Sequence, residues 1–319
     1  MKKIKLGVVG ATGLVGETIL NVLKEENLLD CFELFLIASE KNFGKRMVFN
    51  GCEHNLLRLS ENLLNLKLDV VIFSAGEEVS KNWVLKFYET GSIVIDNTNA
   101  FRKNLYVPLI VPEINKNLIT KDVRLFSNPN CSTIQLAVVV DKLKNLSKIK
   151  KIVVSTYQSV SGAGRDALND LKNGTNKVFV DGIKDEIIPF IGSFDENFDC
   201  TEESKIKFEL NKILNESLDI CATSVRVPTP FCHGESVYVE FEKSFEIDDV
   251  KNLLNQKHIK IVEDKILLKT CKNTNLTYVC RLRKHGEKEL LFFVVADNLR
   301  RGAAYNAVEI LKEVLKNLQ

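Results

Sequence analysis

Short apolar runs alternate with amphipathic stretches through the first half of the chain. Ile4 to Val9 reads as a strand, and beyond Gly10 the spacing of Ile19, Leu20 and Leu23 reads as a helix. Phe32 to Ala38 and Asp69 to Ser74 are further buried strands. Glu77 to Thr90 has helical spacing and stops at Gly91, and Ser92 to Asp96 returns to strand. Strand and helix in alternation argue for a doubly wound parallel sheet. Past residue 131 the character changes. Ile152 to Tyr157, Ala222 to Val227, Ser236 to Glu242, Leu276 to Arg283 and Leu290 to Val295 mostly alternate apolar and polar positions, with longer helical stretches between them. That pattern predicts a second α/β unit with a mixed or antiparallel sheet. Ala296 to Ala304 opens a terminal helix.

Two positions in this pattern have chemical potential. Gly10 Ala11 Thr12 Gly13 Leu14 Val15 Gly16 lies between the first strand and the first helix. Glycines there let backbone N–H groups approach a pyrophosphate, which the helix N-terminus attracts. The spacing is G-x-x-G-x-x-G, so the flanking strand and helix are needed to support a dinucleotide site. The stretch Ser127 Asn128 Pro129 Asn130 Cys131 Ser132 Thr133 Ile134 Gln135 leads directly into an apolar segment ending at Leu143. Asn130 or Ser132 can cap a helix there, which puts Cys131 in its first turn. A single intracellular cysteine is more often a small buried hydrophobe. At a helix start, however, the dipole and unpaired N–H groups favour the thiolate, lowering a thiol pKa from about 8.5 into the range of roughly 3.5 to 7.5.

The 319 residues exceed one ordinary core and predict two units of conventional size. A hydrophobic share of 45% with 27% charged residues is that of a soluble globular protein. The net charge of +2, without a basic block, points to neither nucleic acid nor an anionic membrane. Eight cysteines without a C-x-x-C pair fit a reducing cytoplasm and no structural metal. Met1 Lys2 Lys3 could imitate the start of a signal peptide, but the apolar stretch behind it is broken by four glycines and ends at Glu17.

Asn130 Cys131 Ser132 Thr133 Ile134 Gln135, followed by Ser155 Thr156 Tyr157 Gln158 Ser159 Val160 Ser161 Gly162 Ala163 Gly164, resembles the aspartate-semialdehyde dehydrogenase family, with matching segments from residue 7 to residue 308. The resemblance implies a Rossmann-type NADP-binding unit, 1–127 with 298–319, and a catalytic, dimerising α/β unit, 128–297, in a homodimer or homotetramer. It assigns NADP(H) to Gly10, Thr12, Gly13, Leu14 and Val15, to Lys41 and Asn42 after the second strand, and to Ser161, Gly162 and Asn298. Lys41 and Asn42 stand where the family usually has Arg-Ser against a 2'-phosphate, and a cation there suits NADP; the adjacent Glu40 could instead take a ribose hydroxyl. Glu77 and Glu78 replace small residues of the family's loop, so the conformation there is left open.

The same likeness singles out Arg226 and His233 in Arg226 Val227 Pro228 Thr229 Pro230 Phe231 Cys232 His233, seven residues apart as in the family. Prolines ahead of His233 predict an imidazole on a loop edge. With an ordinary pKa of about 6.5 it would take the thiol proton and return it. Glu209 and Lys212 flank an amphipathic helix over 202–216; alone they read as a surface ion pair, whereas the family has Glu-x-x-Lys here. Implied is a substrate, L-4-aspartyl phosphate, with Arg226 on its carboxylate, Glu209 on its ammonium group, and Arg102 with Lys212 on its phosphate. Gln158 orients the acyl group. Cys131 forms a thioester with loss of phosphate, hydride reduces it, and His233 protonates and releases aspartate 4-semialdehyde. That product feeds lysine, diaminopimelate, threonine, methionine and isoleucine. Rival readings are an N-acetylglutamyl phosphate or glyceraldehyde phosphate enzyme of the same architecture, and a catalytically silent dinucleotide-binding homologue. The first would have no use for Glu209, and the last should have lost Cys131 or His233.

Overall fold

The computed structural model describes residues 3–318, so the basic start at Met1 and Lys2 lies outside it. Its chain divides into two units, one running up to Pro129 and resuming at Ala303, the other spanning Asn130–Gly302. The expected crossings were at 127/128 and 297/298. All eight cysteines are free thiols. Among the described residues no helix is long and apolar enough to cross a membrane.

In the first unit β1 (Ile4–Val9), β2 (Phe32–Ala38), β5 (Leu57–Arg58), β6 (Val70–Phe73), β7 (Ile93–Asp96) and β8 (Leu125–Ser127) form a sheet in the order β5-β2-β1-β6-β7-β8, all pairs parallel. Strands such as the wholly buried Val-Val-Ile-Phe of β6 need cover on both faces. One face packs Leu6, Val8 and Ile72 against Ile19 and Leu23 of α1 (Leu14–Glu25) and against Val308 and Leu311 of the terminal helix Tyr305–Leu318. The other face packs Val71, Phe73 and Val94 against Val84 and Phe87 of α3 (Glu77–Glu89). Short helices α2 (Glu61–Leu64) and α4 (Pro112–Asn115) complete the connections. An antiparallel hairpin, β3 (Arg46–Phe49) with β4 (Cys52–Asn55), has no counterpart in the sequence reading. Only one of its eight residues is buried, so it has little of the apolar alternation by which a strand is recognised.

Glu77 and Glu78 begin α3, after Gly76 at φ +99°, and both pair with Lys81 (2.8 and 3.1 Å). Acidic residues in a first turn complement the helix dipole. The stretch that departs from the family is therefore an ordinary helix start.

In the second unit α5 (Cys131–Leu143) precedes β9 (Ile149–Gln158), α6 (Arg165–Asn173), α7 (Thr201–Leu214) and β10 (Asp219–Arg226). Then come β11 (His233–Phe241), α8 (Ile247–Leu254), β12 (Ile259–Val262), β13 (Thr277–His285) and β14 (Glu289–Ala296). The sheet order is β10-β9-β11-β14-β13-β12. Two pairs, β9 with β10 and β12 with β13, are parallel and the others antiparallel, the mixed sheet that alternation predicts. The terminal helix starts later than expected. Residues Arg300–Ala304 make a π-helical turn, and α-helix begins only at Tyr305.

Register fixes the functional end of this sheet. Arg226 of β10 and His233 of β11 are both cross-strand partners of Gln158 on β9, and His233 also pairs with Ala296 of β14. Three residue types singled out from sequence thus stand side by side at one end of three adjacent strands.

Candidate active site

Cys131 is the first residue of α5, whose interior from Ser132 to Val140 is wholly buried. Asn130 is the cap. Its Oδ1 accepts the backbone N–H groups of Ser132 (2.9 Å) and Thr133 (3.3 Å), two of the donors a helix start leaves unpaired. The cap is itself gripped from α7. The Asn130 backbone N–H donates to Glu209 Oε2 at 2.6 Å, and its Nδ2 donates to Glu202 Oε1 at 2.7 Å. Against the other side of Cys131 lies Gly302, where a β-carbon would stand 2.8 Å from Cys131 Cβ and 3.1 Å from its Cα and carbonyl oxygen. Only glycine fits that approach.

His233 corrects the loop-edge expectation. It is the first residue of a central strand and fully buried. The Ser159 backbone N–H donates to its Nδ1 at 3.0 Å, so the neutral ring carries its proton on Nε2, which has no hydrogen-bond partner. Burial, reinforced by the nearby Arg226 charge, lowers the imidazole from its ordinary range to about 3. The group is a neutral imidazole with its Nε2 edge against Gly162, where a ring titrating near 6.5 was expected. Gly162 covers that edge: a β-carbon there would lie 3.4 Å from His233 Nε2 and 3.1 Å from Arg226 Nη1. Ser161, by contrast, is bound into the protein. Its hydroxyl accepts from Asn298 Nδ2 (3.0 Å), while Asn298 Oδ1 accepts the Cys232 N–H (2.9 Å) and so braces the residue ahead of His233.

Arg226 is buried, and its Nη1 donates to the Ser159 carbonyl at 2.8 Å. Burial lowers its pKa, opposed by the charges of Glu202 and Cys131. Glu202 is buried as well. Burial alone would raise it, but Lys205 (3.2 Å), the Asn130 amide and Arg226 bring it below the ordinary carboxylate value. Gln158 is buried, with Nε2 donating to Thr156 Oγ1 at 3.3 Å. Lys212 is half-buried on α7; burial lowers its pKa against the opposing charge of Glu209. The structure therefore collects Cys131, Gln158, Glu209, Arg226 and His233, with Ser161, Gly162, Lys212 and Asn298, in the second unit.

The other expected residues belong to the first unit. Gly10, at φ +85°, could not carry a side chain, because its β-carbon would lie 2.7 Å from the Ser74 carbonyl oxygen. A β-carbon on Gly16 would lie 2.1 Å from the Gly10 carbonyl oxygen, so the turn can close only with glycine. Gly13 caps α1 without a side-chain bond, leaving the Leu14 and Val15 end of the helix to backbone donors. Asn42 Nδ2 donates to Thr12 Oγ1 (3.3 Å) and its Oδ1 accepts from Lys45 Nζ (3.0 Å), which ties the loop after β2 to the glycine turn. Glu40 pairs with Arg58 at 3.1 Å, both exposed, so its charge is offset and the loop with Lys41, Lys45 and Arg58 is cationic. These features fit a phosphorylated dinucleotide. Arg102 is buried, its guanidinium donating to the Asn97 carbonyl (2.8 Å) beside Asp96, whose carboxyl is raised by burial against Thr98, Ser80 and Arg102. Among the described residues no group of three or more His, Cys, Asp or Glu is placed to hold a metal ion.

The sequence reading missed Glu202, Ser159 as a partner of His233, and Gly302. Glu202 had a signal: it sits four residues before Ile206 and seven before Glu209, on the buried stripe of α7, where a carboxylate needs a partner.

The chain is similar to known proteins along nearly its whole length. Residues 5–122 match the family described as semialdehyde dehydrogenase, NAD binding domain, and residues 141–301 the semialdehyde dehydrogenase dimerisation domain. The aspartate-semialdehyde dehydrogenase of Aquifex aeolicus is 38% identical over 98% of each chain. That of Campylobacter jejuni is 36% identical over 99% of this chain and 98% of its own. The crystal structure of aspartate semialdehyde dehydrogenase II from Vibrio cholerae covers all of both chains at TM-score 0.93 and 34% identity, and a structure of that protein complexed with ASA superposes equally well.

Proposed function

The chain belongs to the aspartate-semialdehyde dehydrogenase family, and from that premise we propose that it catalyses the reversible, NADPH-dependent conversion of L-4-aspartyl phosphate to L-aspartate 4-semialdehyde and inorganic phosphate. The observation that carries the proposal is the register of Gln158, Arg226 and His233 in the same unit as a cysteine at a capped helix start. A helix N-terminus and the Arg226 charge favour the thiolate of Cys131. That sulfur attacks the acyl carbon, the carbon–oxygen bond to phosphate breaks, and a thioester remains on Cys131. Arg226 holds the substrate carboxylate and Glu209 its ammonium group, while Lys212 takes the phosphate. Gln158 orients the acyl oxygen.

Gly10, Thr12, Gly13, Leu14 and Val15 would hold the pyrophosphate of a nicotinamide dinucleotide. Lys41 and Asn42, joined by Lys45, favour the 2'-phosphate of NADP. When bound, NADPH supplies hydride to the thioester carbon. His233 donates its Nε2–H to the oxyanion that develops there, in the manner of an oxyanion hole. Collapse of the resulting thiohemiacetal breaks the carbon–sulfur bond and returns the thiolate without a proton from His233. This replaces the acid–base role expected for a histidine of ordinary pKa.

The protein works in the cytoplasm as a homodimer or homotetramer built on its second unit, and serves synthesis of lysine, diaminopimelate, threonine, methionine and isoleucine. The test is phosphate-dependent reduction of NADP by aspartate semialdehyde, run beside N-acetylglutamate semialdehyde and beside NAD. Turnover confined to aspartate semialdehyde supports the assignment, and equal turnover of the acetylated aldehyde overturns it.

A further inference from the structure

Resting on the reading of Cys131 as the nucleophile, we infer that Glu202 is its positioning residue, acting through the orientation of Asn130. The side chain of Asn130 has two ends, and they must not be exchanged. Its carbonyl has to face the N–H groups of Ser132 and Thr133, since an amide NH2 turned there would set donor against donor. Its Nδ2 must then find an acceptor in a buried place, and Glu202 Oε1 is that acceptor at 2.7 Å. Meanwhile Glu209 fixes the backbone of the same residue through its N–H at 2.6 Å. The two carboxylates sit seven residues apart on α7, two turns along one face, and close on the cap from two directions. The thiol is the next residue along the chain, so whatever holds Asn130 also sets the direction of the Cys131 Cα–Cβ bond.

A carboxylate in this place also has an electrostatic effect. Glu202 Oε2 accepts from Lys205 Nζ at 3.2 Å, and Glu202 and Cys131 both act on Arg226. The groups coupled to one another here are Arg226 from β10, which feels both Cys131 and Glu202, Lys205 from α7, which pairs with Glu202, and the neutral His233 from β11, which feels Arg226 and Glu202. Glu202 shares Arg226 with the Cys131 sulfur, so removing the Glu202 charge leaves the guanidinium more fully to the sulfur.

Glu202→Gln and Glu202→Ala separate the two effects. Iodoacetamide alkylation of Cys131, followed by peptide mapping across pH without substrate, reads ionisation. Steady-state kinetics with aspartate semialdehyde reads positioning. In Glu202→Gln the amide oxygen still accepts from Asn130, so kcat stays within about tenfold of wild type while alkylation at pH 7 becomes several-fold faster. In Glu202→Ala the cap is released and kcat falls about 10²-fold, the order expected for a reacting group displaced by about 1 Å. Wild-type alkylation profiles and kcat in both variants would overturn the inference, as would equal loss of kcat in the two with alkylation unchanged. Because alkylation needs no substrate, a wild-type enzyme inactive on aspartate semialdehyde would overturn the proposed reaction while the alkylation comparison of the two variants still reads the effect of Glu202 on Cys131.

Discussion

Replacing His233 by Asn tests the electrostatic state of the site through stability as well as activity. The asparagine Oδ1 reaches the place of Nδ1 and can still accept from the Ser159 N–H, so the change removes the titrating ring and keeps its structural bond. In the wild type, burial and the Arg226 charge hold the folded-state pKa at about 3, against about 6.5 unfolded. A depressed pKa means the unfolded chain binds the proton first. The stabilisation is complete above pH 6.5 and is lost as pH falls toward 3. Between pH 6.5 and pH 5 that is one and a half pH units at about 1.4 kcal/mol each, or about 2 kcal/mol. The assay is urea denaturation of both proteins at pH 8, 6.5 and 5, read as the difference in their pH dependence so that other titrating groups cancel. The wild type should lose about 2 kcal/mol more than the variant over that range. Parallel curves would refute a buried neutral imidazole, and so would a kcat profile of the wild type with a limb near 6.5 assignable to His233.

Three further outcomes follow from particular contacts. Glu235 is fully buried and burial raises its carboxyl well above the ordinary value, with only the Gln135 amide opposing. The folded protein therefore keeps a proton the unfolded chain gives up, and Glu235→Gln should gain melting temperature relative to wild type as pH rises from 5 to 8; a constant difference would count against it. Gly302→Ala places a β-carbon 2.8 Å from Cys131 Cβ, well inside the 3.5 Å of ordinary carbon contact, so kcat should fall about 10²-fold, as measured by steady-state assay. Lys41→Ala should raise KM for NADP about tenfold and leave that for NAD unchanged, since only the former presents a 2'-phosphate to the exposed lysine.

Much of the fold was legible because it rests on local pattern. The parallel strands of the first unit are near-continuous apolar runs, and the Gly10 turn and the Asn130 cap declare themselves through residue type. Strand ends were less so: β11 begins at His233, where pairing with Gln158 and Ala296 on two neighbouring strands carries the ladder past the point at which alternation is visible. That long-range pairing buries His233 and moves its pKa, an effect absent from the segment around it. The roles of Gly302 and Glu202 depend on approaches across about 170 and 70 residues of chain respectively, so only the charge on the buried stripe of α7 hinted at the latter. β3, β4 and β12 are short and partly exposed, with too little apolar contrast to register.

The step proposed for Cys131 is a thioester that carries the acyl group between loss of phosphate and reduction. It is tested most directly by mixing enzyme with aspartate semialdehyde, NADP and arsenate-free, phosphate-depleted buffer, quenching in acid within one turnover, and mapping the peptides by mass spectrometry. An aspartyl mass increment is expected on the peptide containing Cys131, absent from Cys131→Ala and discharged when phosphate is added before the quench. An unlabelled Cys131 peptide in a sample that has released NADPH would contradict it.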